Sequence, residues 1–111
     1  MKIIRNNILP VKGYEAMYLF GILFVRKDAE LTPDLLNHEL IHAQQCKELW
    51  HAAFYTLYVI FYLYALLRYL DTRKAYHMNP FEREAYTNMN VPDYIKHLRK
   101  PFAWRQYISA K

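Results

Sequence analysis

The segment LLNHELIHAQQ, residues 35–45, decides how this chain is interpreted. It contains two histidines, His38 and His42, four positions apart, with Glu39 directly after the first. Residues i and i+4 of an α-helix share one face, so both imidazoles can reach a single metal ion. Glu39 would lie beside that ion, placed to take a proton from a water that the metal activates. The pattern therefore predicts a metal-binding helix; the alternative is an exposed helix with a mixture of Glu and His.

A start signal for this helix lies immediately upstream, in Thr32-Pro33-Asp34. Thr32 can cap the first turn with its hydroxyl, Pro33 suits the first helical position, and Asp34 faces the positive end of the helix dipole. Neither Gly nor Pro occurs again before Pro80. We therefore expect the helix to extend from Pro33 to about Leu70.

The segment before this helix, residues 1 to about 29, has a different composition. It holds both glycines and many β-branched or aromatic residues. We expect two or three strands in a small antiparallel β-meander, with pieces around Ile3–Ile4 and Ile8–Val11 and a longest strand over Tyr18–Val25. Gly21, inside that last strand, predicts a bulge or a close backbone approach.

A catalytic zinc ion needs a third protein ligand and an open fourth position. Glu82 and Glu84 are the only glutamates after Glu48, and they follow a second helix start signal, Asn79-Pro80, in a helix that should end before Pro92. Glu82 is the first candidate for the third ligand, although at this position it could instead cap its own helix. Glu84 is the second candidate, and its alternative is a solvated helix acid. The remaining tail should hold one short helix on each side of Pro101.

Together the two segments resemble the gluzincin zinc metallopeptidases, in which an H-E-x-x-H helix pairs with a second helix that donates a glutamate. The nearest pattern is that of the membrane CAAX-type prenyl proteases and their small relatives, whose ligand glutamate opens an E-x-x-A-D string. Here Glu82-Arg83-Glu84-Ala85-Tyr86 matches that string, with Tyr86 in place of the aspartate. The continuation from His42 to Gln45 also resembles small bacterial H-E-x-x-H-x-x-Q proteins of unassigned activity. The resemblance covers roughly residues 32–49 and 79–90.

The resemblance implies a single α+β domain over residues 1–111. A small N-terminal antiparallel β-meander would precede a zincin-like helical core made of an active-site helix, an apolar helix and a glutamate helix. His38, His42 and Glu82 would bind Zn²⁺, and Glu39 would act as the general base. The substrate would be a peptide or protein whose backbone could lie along the strand Tyr18–Val25; an ordinary core strand is the alternative.

Several other residues are weaker candidates for the site. Cys46 continues the face of His42 and could touch the metal, but a small buried thiol is the simpler interpretation. A hydrogen bond to the oxyanion could come from a tyrosine such as Tyr86 or from one of the remaining histidines, and the sequence does not choose among them. Those histidines are His51, His77 and His97.

The segment from Trp50 to Leu67 contains no Asp, Glu, Lys or Arg, which meets the length of a membrane span. Polar tips all round this helix favour a buried core helix first, then a helix in the membrane plane, and a spanning helix last. A straight helix from His42 to Leu70 would end about 42 Å away, and the chain from there to Glu82 reaches at most about 40–43 Å. A shared zinc site therefore predicts that the helix bends or breaks between about Ala43 and Leu70.

The charge and cysteine content of the chain indicate which partners and which location to expect. The net charge is +5, but the Lys and Arg residues form no long block, so nucleic acid is not expected. One cysteine excludes an internal disulfide and favours a reducing, cytoplasmic location. Membrane association through residues 50–70 and the basic aromatic tail is a second expectation. The competing interpretation is a non-enzymatic membrane-surface or partner-binding protein whose zinc is structural or vestigial.

Overall fold

The computed structural model describes residues 2–7 and 15–108 and has an α+β architecture, which confirms the predicted fold class. Three strands precede three α-helices, and two short helical turns of π and 3-10 type close the described chain. The strands are β1 (Lys2–Asn6), β2 (Ala16–Leu19) and β3 (Ile22–Arg26). The helices are α1 (Pro33–Tyr69), α2 (Thr72–Met78) and α3 (Pro80–Asn88), followed by the turns Tyr94–Leu98 and Ala103–Tyr107.

The sheet is mixed, so the predicted antiparallel meander is wrong in its pairing. The strand order is β1-β3-β2: β2 pairs antiparallel with β3, whereas β1 pairs with β3 in parallel, with Lys2 opposite Ile22. Parallel pairing requires a crossover between the strands, which a meander lacks. The predicted strand piece Ile8–Val11 lies outside the described residues. This order leaves β2 at an edge of the sheet.

The predicted strand Tyr18–Val25 is a hairpin instead, and the bulge expected at Gly21 is its turn. Phe20 and Gly21 have φ angles of 49° and 85°, the left-handed values that a two-residue hairpin turn of type I′ requires. The sequence pattern did not indicate this turn because Phe20 continues the apolar run of the two strands through it.

Helix α1 begins as predicted and is broken inside the predicted interval. The Thr32 hydroxyl accepts a hydrogen bond from the Leu35 amide at 3.1 Å, and Pro33 occupies the first turn. At Trp50 the backbone leaves helical geometry, with φ 66° and ψ 157°. The prediction of a bend between Ala43 and Leu70 is therefore confirmed. The break turns the second half of α1, residues 51–69, back toward α3.

Helix α2 was not predicted, whereas α3 and the two short turns beside Pro101 were. Asp71 caps α2 by accepting hydrogen bonds from the amides of Arg73 and Lys74. The side-chain oxygen of Asn79 caps α3 by accepting a hydrogen bond from the Phe81 amide. Its side-chain nitrogen Nδ2 donates to the Tyr58 carbonyl at 3.0 Å. This buried asparagine therefore fixes the start of α3 against the second half of α1.

The main hydrophobic cluster joins the second half of α1 to α3 and the tail. Its buried members are Cys46, Phe54, Phe81 and Trp104. The Phe81 ring lies 4.8 Å from the Phe54 ring and 4.8 Å from the Trp104 ring, centroid to centroid. Aromatic pairs at such distances add stability beyond the burial of their area. This cluster holds the helix that carries Glu82 beside the histidine helix.

The backbone at Trp50 generates a stability prediction. Its φ and ψ fall in a region that glycine adopts readily and other residues adopt at a cost of about 1–3 kcal/mol, and its side chain is 80 % exposed. We expect Trp50→Gly to raise the free energy of unfolding by about 1 kcal/mol, because glycine relieves the strain and little packing is lost. Trp50→Ala keeps the Cβ and should leave stability nearly unchanged. Urea denaturation measures both, and equal destabilisation by the two variants would contradict a strained break.

Candidate metal centre

Three side-chain atoms from two helices converge at the centre of the molecule. The Nε2 atoms of His38 and His42 lie 3.2 Å apart. Glu82 Oε1 lies 3.2 Å from the first and 3.0 Å from the second. All three residues are buried. The sequence predicted this juxtaposition of His38, His42 and Glu82, and the structure brings them together.

The triangle of donor atoms has the dimensions of a zinc site. A tetrahedral ion with bonds of about 2.0–2.1 Å separates its ligand atoms by about 3.3–3.4 Å, close to the three observed edges. Two imidazoles and one carboxylate are ligand types that zinc prefers. Glu39 also offers an oxygen within a group of ligand atoms that all lie within 4.8 Å of one another, together with His38 and His42. The residues present therefore fit a zinc ion.

Both oxygens of Glu82 are engaged, which decides between the two interpretations of this residue. Oε1 faces the histidines, and Oε2 accepts a hydrogen bond from the Tyr58 hydroxyl at 2.5 Å. The N-cap of α3 is provided by the Asn79 side chain. The Glu82 carboxylate therefore points into the histidine cluster instead of back onto its own helix.

Glu84, the other candidate ligand, belongs to a different network. Its carboxylate is fully buried and accepts hydrogen bonds from Arg99, Tyr94 and Gln45. Arg99 also binds Glu48 through two contacts of 3.0 Å. Glu84 therefore pairs with the buried side chain of Arg99. The interpretation of Glu84 as a solvated helix acid is wrong.

Gln45 connects this ionic network to the histidines. Its Nε2 donates to the Phe81 carbonyl at 3.0 Å and to Glu84 at 2.9 Å, so its Oε1 must be the atom that faces His42. His42 Nδ1 lies 2.9 Å from that oxygen and must donate to it. In a neutral imidazole this leaves the lone pair on Nε2, the atom that faces Glu82. Gln45 thereby selects the tautomer of His42 that can bind a metal.

The electrostatics of the cluster favour a cation between the histidines and Glu82. Burial disfavours a charge on His42, but the Glu82 carboxylate outweighs it and raises the pKa of His42 to about 9. Burial opposes the charge on Glu82 as well, yet the two histidines hold the pKa of that carboxyl below its usual range. Burial lowers the pKa of His38. The site thus retains one positive charge, which a metal ion can supply in place of a proton.

Glu39 differs from Glu82 in its surroundings. Burial raises the pKa of its carboxyl to about 7. Its buried Oε2 atom has no hydrogen-bond partner among residues 2–7 and 15–108. The residue lines a cleft of about 320 Å³ that His42 and Glu82 also line. A carboxyl with this pKa beside a cleft is suited to exchanging a proton near neutral pH.

The remaining candidates lie around the cluster. Tyr86 packs its ring edge-on against His38 at 4.4 Å, and the His77 ring contacts Tyr86 at 5.0 Å in a tilted arrangement. Cys46 is buried with its sulfur 2.9 Å from His51 Nδ1, in contact with the aromatic cluster. His97 is exposed in the turn Tyr94–Leu98.

Three residues of the site had no role assigned from the sequence. Gln45 orients His42, Tyr58 holds Glu82, and Tyr76 of the unpredicted helix α2 lines the cleft. The only available signal was for Gln45, which lies three positions after His42 on the histidine helix. The tyrosines had no distinguishing signal because the chain contains eleven of them.

Comparisons with models of protein families, with curated proteins and with solved structures gave no match. The assignment of chemistry to this site therefore depends on the geometry of its own residues.

The two glutamates of α3 give opposite predictions on substitution. Glu82→Gln should weaken zinc binding by more than about 100-fold, beyond the loss typical for a residue that only orients a ligand. Glu84→Gln should keep zinc at one ion per chain but lower the free energy of unfolding by about 3 kcal/mol, because it weakens a buried ion pair. Competition with a chelator and urea denaturation measure the two effects. Loss of zinc from the Glu84 variant with retention in the Glu82 variant would reverse the assignment.

Gln45 provides a prediction with a neighbouring control. Gln45→Leu removes the acceptor for His42 Nδ1, and we expect zinc affinity to fall by about 10–100-fold. Gln44→Leu changes the adjacent, partly exposed residue and should leave zinc affinity within about 2-fold of the parent, because Gln44 makes no such contact in the described chain. Chelator competition measures both variants. Equal affinities would show that the Gln45 contact does not orient the metal ligand.

Proposed function

We propose that this chain is a zinc-dependent metallopeptidase of gluzincin type, which hydrolyses peptide bonds in the cleft beside His42 and Glu39. The observation that carries the proposal is the triangle of His38, His42 and Glu82 atoms with edges of 3.0–3.2 Å. Two of its members, His42 and Glu82, line a cleft that is also lined by Glu39, whose buried Oε2 atom has no partner in the described chain. Metal ligands, a proton acceptor and space for a substrate therefore occur together.

The metal has a defined role in this proposal. Zinc held by His38, His42 and Glu82 would supply Lewis-acid activation of water and of the scissile carbonyl. The chain itself supplies the orientation of the ligands. Gln45 holds the His42 ring from one side, and Tyr58 holds the Glu82 carboxylate from the other. His42 and Glu82 are thus each held by a hydrogen bond that does not depend on a metal. His38 is positioned by packing against Tyr86.

Glu39 is the general base in this proposal. It follows His38 directly on the helix, and its free oxygen is buried beside the cleft. With a pKa of about 7, its carboxylate can accept a proton from the attacking water and then give it to the leaving amine. The same carboxyl can therefore serve both proton transfers at neutral pH.

Tyr76 is the candidate donor to the carbonyl oxygen. It lines the cleft from α2, and its hydroxyl lies 3.3 Å from the Tyr86 hydroxyl. Burial and the nearby Glu82 carboxylate raise its pKa, so its hydroxyl stays protonated and able to donate. A protonated hydroxyl aimed at developing negative charge is the electrostatic arrangement that acyl-transfer sites use.

The walls of the cleft favour an extended, apolar peptide. Edge strand β2 forms one wall, and an edge strand can accept a substrate as an additional strand. The lining as a whole is mostly apolar or aromatic, including Met17 and Leu19 of β2 and Phe54 and Tyr55 of α1. We therefore expect substrates with large apolar side chains next to the scissile bond.

The alternative function, a non-enzymatic protein with a structural zinc, requires a different number of protein ligands at the site. Structural zinc sites are closed by four protein ligands. Among the described residues Glu39 is the fourth group near the histidines. A closed site would therefore require Glu39 as a permanent ligand instead of a base.

Glu39→Gln separates the two functions. If Glu39 is the base, the variant should keep stoichiometric zinc and lose turnover by about 1,000-fold, within the range for loss of a general base. The measurement is zinc content by mass spectrometry together with cleavage of a peptide library by the parent and the variant. The control is His38→Ala, which should lose the metal.

Two outcomes of the same experiment would argue against a peptidase. Loss of zinc on Glu39→Gln would identify Glu39 as a ligand and favour a structural site. Zinc-loaded parent protein that cleaves no member of the library would favour the non-enzymatic function.

A further inference from the structure

The second half of α1 exposes a continuous apolar face. The residues of this face recur every three or four positions, so they lie on one side of the helix. Their exposed fractions range from 50 % to 82 %. The members of the face are Val59, Ile60, Leu63, Tyr64, Leu67 and Leu70.

The opposite side of the same helix is already occupied. Phe54 and Ala65 are buried there, and Tyr58 bonds to Glu82 and Asn79 of the glutamate helix. The helix is therefore apolar on both sides, although only one side has a partner in the described chain. By length and composition α1 could also cross a bilayer. Only 11 % of its most apolar window is buried, so the expectation of a buried core helix is wrong for most of this window.

The charged residues next to the exposed face are predominantly basic. No Asp, Glu, Lys or Arg occurs from Trp50 to Leu67. At the carboxyl end lie three exposed basic residues, and none of them forms a salt bridge within residues 2–7 and 15–108. The one acid between them, Asp71, accepts two hydrogen bonds from its own helix. The three basic residues are Arg68, Arg73 and Lys74.

We propose that this face binds the surface of an anionic lipid bilayer, with the helix lying in the plane of the membrane. Arg68 and Lys74 lie over the Tyr69 ring, which leaves their charges without an acidic partner. An apolar face bordered by such basic residues is the composition of interfacial helices. Trp50, 80 % exposed at the other end of the helix, adds a side chain that prefers the headgroup region.

The in-plane orientation follows from the occupied side of the helix. A spanning orientation would place Glu82 and its polar partners in the hydrocarbon together with the helix to which they bind. When the helix lies in the plane of the membrane, its side that packs against α3 and the cleft remain outside the hydrocarbon. Residues 51–69 are about 28 Å long, so the whole face can contact lipid at once.

Vesicle binding by the full chain tests the proposal. We expect co-sedimentation with vesicles of phosphatidylcholine and phosphatidylglycerol, and much weaker binding to phosphatidylcholine alone or in high salt. Trp50 should shift its emission to shorter wavelength on binding, whereas Trp104 is buried and serves as an internal reference for the fold. Trp50→Phe should abolish the shift and leave binding largely intact.

Surface variants identify the face. Leu63→Gln combined with Leu67→Gln should lower vesicle affinity by more than about 10-fold, and both side chains are exposed, so the fold should persist. Arg73→Gln combined with Lys74→Gln should lower it by about 25-fold, at about 5-fold for each charge. Leu98→Gln, at an exposed leucine away from the face, is the matched control and should bind like the parent.

Three results would overturn the proposal. The first is equal binding of parent and Leu63/Leu67 variant to anionic vesicles. The second is a stable dimer in solution that this variant dissociates, with no vesicle binding, which would assign the face to a second copy of the chain. The third is resistance of bound protein to extraction by alkaline carbonate, which would indicate a spanning helix.

Discussion

A carboxylate oxygen of Glu82 lies between the imidazoles of His38 and His42, and this contact constrains the path of the whole chain. The two segments are 40 residues apart, and a straight intervening helix would require a fully extended chain to return from its end to Glu82. The break at Trp50 resolves this conflict by turning residues 51–69 back toward α3. The left-handed backbone at this position is thus the local cost of assembling the centre.

The centre is surrounded by polar groups that are nearly all satisfied, although they are buried. Arg99, Glu84, Gln45 and His42 form a chain of hydrogen bonds that ends at the imidazole facing Glu82. Burial of charges is unfavourable unless they are paired, and here each charge has a partner of opposite sign or a hydrogen-bond donor. Glu39 Oε2 and His38 Nδ1 at the centre, and Trp104 Nε1 in the aromatic cluster, are the buried atoms without a partner within the described chain. Unsatisfied buried groups of this kind concentrate where a protein performs chemistry.

The sequence predicted the elements with strong local signals. Caps at Thr32 and Asn79 and the i, i+4 histidines are local features, so α1, α3 and the facing imidazoles could be inferred from short segments. Chain geometry added the break in α1, because after a straight helix only a fully extended chain could return to Glu82. The pairing of β1 with β3 and the roles of Tyr58, Tyr76 and Gln45 depend on contacts between distant segments, which short patterns do not encode.

The second half of α1 links the two proposals, since its core side holds Glu82 and its exposed side is apolar. The central claim remains that one cation binds the three ligand atoms. Anomalous X-ray scattering from crystals of protein purified without chelator, recorded on both sides of the zinc edge, tests that claim most directly. It should give one peak bounded by His38 Nε2, His42 Nε2 and Glu82 Oε1. A peak elsewhere, or none at this position in zinc-supplemented crystals, would contradict the account.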